Sequence, residues 1–120
     1  MEKTTFLLED SLFKIWNNRN ATERLSEMAR IYAADIHFYE SDDSEPFIGF
    51  EAINNLISNL QSQWAPEFAF QTENPVQVNH DMEAASWHLG IPGQNPVAGG
   101  MDVALVENGK IKKLYLYLNK

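Results

Sequence analysis

Asp102 is the residue of this chain best placed to do chemistry. It stands in an apolar run, Gly99-Gly100-Met101-Asp102-Val103-Ala104-Leu105-Val106, which passes through Glu107-Asn108-Gly109-Lys110 into a second apolar run ending at Leu118. Two such runs joined by Asn-Gly read as a β-hairpin. A carboxylate inside a strand that packs on both faces costs free energy unless a hydrogen bond satisfies it or a reaction uses it. Glu40 is the second candidate, at the end of a strand predicted from Asp35 to Glu40. Two carboxylates in different surroundings can divide the work of acid and base. Each has a plainer reading. Asp102 could satisfy backbone N–H groups as a structural residue. Glu40 could be a solvated group, because the acidic loop Ser41-Asp42-Asp43-Ser44-Glu45-Pro46 follows it directly.

Around these carboxylates the chain offers a large apolar inventory. Trp16, Phe38, Trp64 and Trp87, with Leu114 and Leu116 of the last strand, are the candidate ligand-binding residues. The aromatic ones, together with Phe68 and Phe70, are either ordinary core or the wall of an apolar pocket, as ligand sites commonly are. His37 and His88 alternate out of phase with their apolar neighbours and read as surface or dimer-face residues, and His80 falls in a turn. No HxxxH or HxH spacing joins the three histidines, so no metal site is predicted. No glycine-rich loop precedes a helix at phosphate-binding spacing, and no cofactor is expected. The absence of cysteine excludes a thiol nucleophile and a disulfide framework.

Which way Asp102 points depends on the hairpin turn. A two-residue Asn108-Gly109 turn pairs Val106 with Ile111 and places Asp102 on the face of Lys113 and Tyr115. A three-residue Glu107-Asn108-Gly109 loop pairs Val106 with Lys110 and places Asp102 with Leu114, Leu116 and Leu118. The second is favoured, because it separates the leucine row from the row of Lys113, Tyr115 and Tyr117.

The elements that must position these residues follow from periodicity. A first helix is predicted from Glu2 to Asn18, with Leu8, Leu12, Ile15 and Trp16 on one stripe. Asn20 is a good N-cap for a second helix, with Glu23 at the capping-box position, and that helix is expected to bury Ala21, Leu25, Met28, Ala29 and Tyr32. In the first strand Ile36 and Phe38 share one face, His37 and Tyr39 the other. A third helix begins near Gly49, carries Ile53, Leu56, Ile57, Leu60 and Trp64, and ends at Pro66. Strand alternation then takes over at Phe68 and Phe70, at Val76 and Val78, and at Ala85, Trp87 and Leu89, with a turn at His80-Asp81. The segment Ile91 to Gly100, rich in proline and glycine, is predicted to be a loop. Helices first and an antiparallel sheet afterwards indicate an α+β fold, with the helices on one face of a curved sheet.

Composition sets outer bounds. The chain's 120 residues suit one domain covering positions 1–120, and 44% hydrophobic residues suffice for a core. With 9 basic and 17 acidic residues the formal charge is -8, which argues against a nucleic-acid or anionic-membrane partner. No segment approaches the ~20 apolar residues of a membrane span. The start, Met1-Glu2-Lys3-Thr4-Thr5, does not read as a signal peptide, and a cytoplasmic location is expected.

Taken in order, several short motifs resemble the nuclear transport factor 2-like superfamily, nearest its SnoaL-like and ketosteroid isomerase-like branch. They are Trp16-Asn17, Tyr32-Ala33-Ala34-Asp35-Ile36, Gly49 with Glu51-Ala52-Ile53, Gly100-Met101-Asp102-Val103 and Asn108-Gly109-Lys110-Ile111. The resemblance implies a curved sheet wrapped around a helix into a cone with a ligand pocket at its open end. It places Asp102 where ketosteroid isomerases keep a protonated Asp as an oxyanion hydrogen-bond donor, a case well described for that enzyme. Glu40 falls near their general base. Leu12 occupies about the position of their oxyanion tyrosine. Leu114 and its neighbours are apolar where limonene epoxide hydrolases place a late carboxylate. Two functions remain open: binding of a small apolar or amphipathic molecule with carboxylate-assisted isomerase, cyclase or dehydratase chemistry, or a non-catalytic binding or dimerisation module. A homodimer is expected through the outer sheet face, built from Met101, Val103, Leu105, Ile111, Tyr115 and Tyr117 with help from His88.

Overall fold

A computed structural model describes residues 6–119. The part of the predicted first helix before Phe6 lies outside the described residues. The remainder forms α1 (Leu7–Asp10), which continues without a break as a π-helical stretch, Ser11–Trp16. The wide turn is visible in the bond from Asn17 N–H to the Leu12 carbonyl, five residues back, at 2.9 Å. It turns Ser11, Leu12, Ile15 and Trp16 inward together, so the predicted stripe is buried.

The second helix, α2 (Ala21–Ile31), starts as predicted, with Asn20 Oδ1 accepting from Glu23 N–H at 3.0 Å. The reciprocal bond of a capping box is supplied by another residue: Asn20 N–H donates to Asn18 Oδ1 at 2.9 Å. Its buried face is the expected one only in part: Met28 and Tyr32 are buried as predicted. Ala21, Leu25 and Ala29 are exposed, whereas Arg24, Met28 and Ile31 are buried. A polar residue takes the inward slot because its partners are there. Arg24, 1% exposed, donates from Nε to Asn54 Oδ1 at 2.6 Å and from Nη1 to Gln61 Oε1 and the Asn18 carbonyl, both at 2.8 Å. Its Nη2 donates to Ser58 Oγ. Burial lowers the pKa of this guanidinium, and these hydrogen-bond partners are all neutral oxygens. Asn54, Ser58 and Gln61 belong to α3 (Phe50–Gln61), so Arg24 fastens α2 to α3. Gly49 caps α3 at φ 87°, a conformation that a side chain would strain. The helix stops at Gln61, which leaves Trp64 in the following turn and Pro66 beyond the end.

The helices cover one face of a seven-stranded sheet: β1 (Tyr32–Tyr39), β2 (Phe47–Ile48), β3 (Ala69–Thr72), β4 (Gln77–Asn79), β5 (Met82–Gly90), β6 (Ala98–Glu107) and β7 (Lys110–Leu118). The order is β2-β1-β7-β6-β5-β3, with β4 also on β5. Pairing is antiparallel except between β1 and β7, which run parallel and bring the end of β1 beside the last hairpin. β1 starts three residues earlier than predicted, and Ala98 to Gly100 belong to β6 rather than to the preceding loop.

The last hairpin corrects the favoured turn. Asn108 and Gly109 both have positive φ, at 52° and 77°. Val106 pairs with Ile111, so the turn has two residues. A bulge follows at once. Val106 opposes Ile111, but Leu105 opposes Lys113, so Lys112 is the extra residue. This slip reverses the phase of everything beyond it. Asp102 pairs with Leu116 and shares the inner face with Leu114, as expected but for a different reason. Ile111, expected on the outer face, is buried in the core.

The Arg24 clamp makes a measurable claim. Arg24→Ala, which strands the Asn54 and Gln61 acceptors, should lower stability by about 2–4 kcal/mol in a urea titration. Leu25→Ala, on the exposed face, should stay within about 0.5 kcal/mol. A larger loss at Leu25 than at Arg24 would overturn this assignment of the helix face.

Candidate active site

The concave side of the sheet and the ends of the helices enclose a cavity of about 690 Å³. Its walls are Trp16 and Leu12 from the π-helical stretch, Phe38 from β1, Leu60 and Trp64 at the end of α3, Phe70 from β3, and Trp87 and Leu89 from β5. Phe70 organises the rings. Edge to face, it meets Trp87 with centroids 5.0 Å apart, Trp64 at 5.8 Å and Trp16 at 6.1 Å. Trp16 in turn meets Phe38 at 5.4 Å. Asn17 fixes the backbone of Phe70. Its side chain donates to the Phe70 carbonyl at 3.0 Å and accepts from the Phe70 N–H at 2.6 Å, as a neighbouring strand would.

Asp102 is the deep polar group of this wall and is 6% exposed. Trp87 Nε1 donates to its Oδ1 at 3.0 Å. The pair is positioned by register: Trp87 lies opposite Gly100, and Asp102 opposite Ala85. A Cβ on Gly100 would come 3.1 Å from the Trp87 ring and 2.7 Å from the Tyr117 carbonyl. A side chain at position 100 would therefore press on the strand beside it and on the indole that reaches Asp102. Burial pushes the Asp102 carboxyl up to about 7, with the Trp87 bond pulling the other way. Beneath this layer Tyr32 shares a hydrogen bond with Ser11 at 2.5 Å and accepts from Trp16 Nε1 at 3.2 Å. Burial raises the Tyr32 hydroxyl far above its ordinary value, and the charge of Asp102 adds to that.

At the mouth stand Glu40, Ser41 and Asp42, with Val97, Ala98, Tyr117 and Leu118 across from them. Glu40 is half-buried and borders the same cavity as Asp102. Of the predicted site residues, the structure brings Asp102, Glu40, Trp16, Phe38, Trp64, Trp87 and Leu116 together on one cavity. Leu114 is the exception. It pairs with Ala104, one step deeper than Asp102, and is fully buried core out of reach of the cavity. Phe68 and Phe70, which the sequence offers as possible wall residues, line the cavity too, and so do Leu12, Leu60, Leu89 and Ala98, which sequence reasoning does not single out as site residues. Strand alternation could have found Leu89, which shares the phase of Trp87. The part of Leu12 depends on the π-helical turn, which no sequence spacing announces.

No family model matches the sequence, and no curated protein matches it. Solved structures do. A proposed isomerase of the SnoaL-like family from Agrobacterium tumefaciens str. C58 superposes with a TM-score of 0.82 at 20% identity, covering 95% of each chain. A proposed SnoaL-like polyketide cyclase from Jannaschia sp. CCS1 gives 0.74 at 12% identity, over 94% of this chain and 83% of that one. A nuclear transport factor 2-like protein of unknown function from Cytophaga hutchinsonii gives 0.67 at 13% identity, over 99% and 95%. The helices and the curved, unclosed sheet thus define an α+β cone. That cone is the fold of the nuclear transport factor 2-like superfamily, with SnoaL-like and ketosteroid isomerase-like proteins among its structural neighbours. At these identities the likeness carries the fold and nothing finer.

The raised Asp102 carboxyl has a consequence for folding. Well below pH 4, folded and unfolded chains both hold this proton. Between the ordinary value of 3.8 and about 7 the folded chain keeps it while the unfolded chain has lost it. Stability from this group therefore falls as pH rises, by about 1.4 kcal/mol per unit across that window. Asp102→Asn removes the effect. The stability difference should shift in the variant's favour by about 2–4 kcal/mol between pH 4.5 and pH 8, read from denaturant midpoints. Parallel pH profiles for the two proteins would show that Asp102 is not desolvated.

Proposed function

We propose that this protein binds a small apolar or amphipathic molecule in the cone, with the molecule's polar group directed at Asp102. The observation that carries this reading is the cavity itself: about 690 Å³, walled by aromatic side chains, with one carboxylate at its depth. That size and lining suit a ligand site. Trp87 engages Oδ1 of Asp102, and Oδ2 takes no hydrogen bond from the described residues, so it is available to an occupant. Protonated, the carboxyl can donate to a carbonyl oxygen; ionised, it can accept a proton. Glu40 at the mouth supplies a second acid or base. Isomerisation, cyclisation or dehydration next to a carbonyl are the reactions such a pair would assist.

A second reading, non-catalytic binding, draws on the same walls. The indole N–H groups of Trp16 and Trp87 are both engaged by protein oxygens, and Leu12 offers no hydroxyl to the cavity. A bound carbonyl would therefore find Asp102 as its principal deep donor.

Two measurements separate the readings. Nile red should bind saturably with a blue-shifted emission, and Ala98→Trp, which fills the cavity from β6, should abolish that binding while the circular dichroism spectrum is unchanged. Saturable binding that persists in Ala98→Trp would place the site elsewhere. A β,γ-unsaturated cyclic ketone followed for conjugation in the ultraviolet tests the chemistry. Turnover that falls by about a hundredfold or more in Asp102→Asn supports catalysis. Binding without turnover leaves the non-catalytic module.

The assembly proposed is a two-fold dimer through the outer sheet face. Met101, Val103, Leu105, Tyr115 and Tyr117 lie there, with Tyr117 57% exposed and Tyr39 stacked on Tyr115 at 4.7 Å. A self-complementary apolar face favours closed symmetry. Sedimentation equilibrium at micromolar concentration should give twice the chain mass, and Val103→Glu should halve it without unfolding the protein. A wild-type species of one chain's mass would overturn the dimer.

A further inference from the structure

The proposed ligand site has a charge character that narrows its occupant. Among the described residues, none that lines the cavity is Lys, Arg or His. Three are acidic: Asp102 at the depth, and Glu40 and Asp42 at the mouth. The remaining lining is dominated by rings. The edge-to-face contacts centred on Phe70 leave the ring system of Trp16, Phe38, Phe70 and Trp87 bordering the cavity. Aromatic faces carry the negative part of the ring quadrupole. Beyond the site, the chain's formal charge of -8 makes the surrounding potential negative. An anionic ligand would meet repulsion from three carboxylates and, among the described residues, no compensating cation at the cavity wall. A neutral ligand would fill the space without using the mouth. A cation meets favourable terms at each stage: attraction toward the mouth, aromatic rings along the wall and a carboxylate at the end.

We propose that the occupant is an organic amine in its ammonium form, carrying an apolar body, with the nitrogen held between Asp102 Oδ2 and the aromatic wall. This inference rests on the cavity being a ligand site and adds the chemical class of the ligand. The ammonium forms an ion pair with Asp102 in place of the water the carboxylate has lost, and the apolar body fills the remaining volume beneath Trp64 and Leu116. Tyr32, the other titratable group near Asp102, already shares its hydroxyl with Ser11 and Trp16 and stays neutral. Glu40 and Asp42 raise the local concentration of cations at the mouth and are not needed for contact with the nitrogen.

Three probes of matched size make the test: octylamine, octanol and octanoate, titrated at pH 8 by calorimetry and by tryptophan fluorescence. At that pH the amine is protonated. Octylamine should bind at least about tenfold more tightly than octanol, the effect expected of a desolvated cation on aromatic faces, and octanoate should bind most weakly. Asp102→Asn should remove most of the difference between octylamine and octanol, whatever it does to both alike. The double variant Glu40→Gln with Asp42→Asn, altered only at the mouth, should weaken octylamine a few-fold more than it weakens octanol. Saturable binding in which octanol equals or exceeds octylamine would overturn the amine assignment and leave the cavity reading intact. Failure of all three probes to bind would overturn both.

Discussion

The contact between the indole of Trp87 and the carboxylate of Asp102 is the interaction on which the inner face of this protein turns. A carboxylate placed among leucine and tryptophan side chains loses its water, and a single neutral N–H donor returns only part of that loss. The protein keeps the arrangement because several independent elements are built around it. Register on β5 and β6 sets the two residues two pairs apart on one face, Gly100 leaves room for the ring, and Phe70 packs against the same indole. Buried polar groups of this kind are costly, and a fold assembled purely for stability would place an apolar residue at position 102.

The helical layer answers a different constraint. To leave a cavity open above the sheet, the helices cannot all press down on it. They are held instead at their flanks. Arg24 joins α2 to α3 through side-chain oxygens, Gln61 donates to the carbonyls of Trp16 and Asn18, and Asn17 grips the backbone of β3. These polar ties run around the rim of the cone rather than through it. The parallel pairing of β1 with β7 performs the same service for the sheet, since it draws the Glu40 end of β1 toward the strand that carries Leu116.

Much of this could be read from the residues, and the exceptions have physical causes. Helix order, the Asn20 cap and the alternation in β1 and β5 follow from local chemistry, and each appears where periodicity places it. The burial of Arg24 was illegible because hydropathy assigns arginine to solvent, while its actual surroundings come from a helix thirty residues away that offers Asn54. The face of Asp102 was inferred correctly from an incorrect turn, since separating the leucine row from the tyrosine row is a property of the whole strand, whereas a bulge is a property of one residue. Leu114 was counted with Leu116 because both face inward. Depth along the cone, which separates them, is not encoded in alternation. The rings of the site were visible as an unusual supply of aromatics, but only the tertiary fold distinguishes those that border open space from those that fill it.

The extra residue at Lys112 changes what a one-residue change of length means in this hairpin. In a loop, a gained or lost residue alters reach. Here it would exchange the two faces of β7, moving tyrosines inside and leucines outside. A lineage carrying this fold could trade the bulge for a turn longer by one, since either device keeps Asp102 inward, but it could not lose the bulge alone. Drift through residues 105 to 113 must therefore proceed by compensated pairs of insertion and deletion.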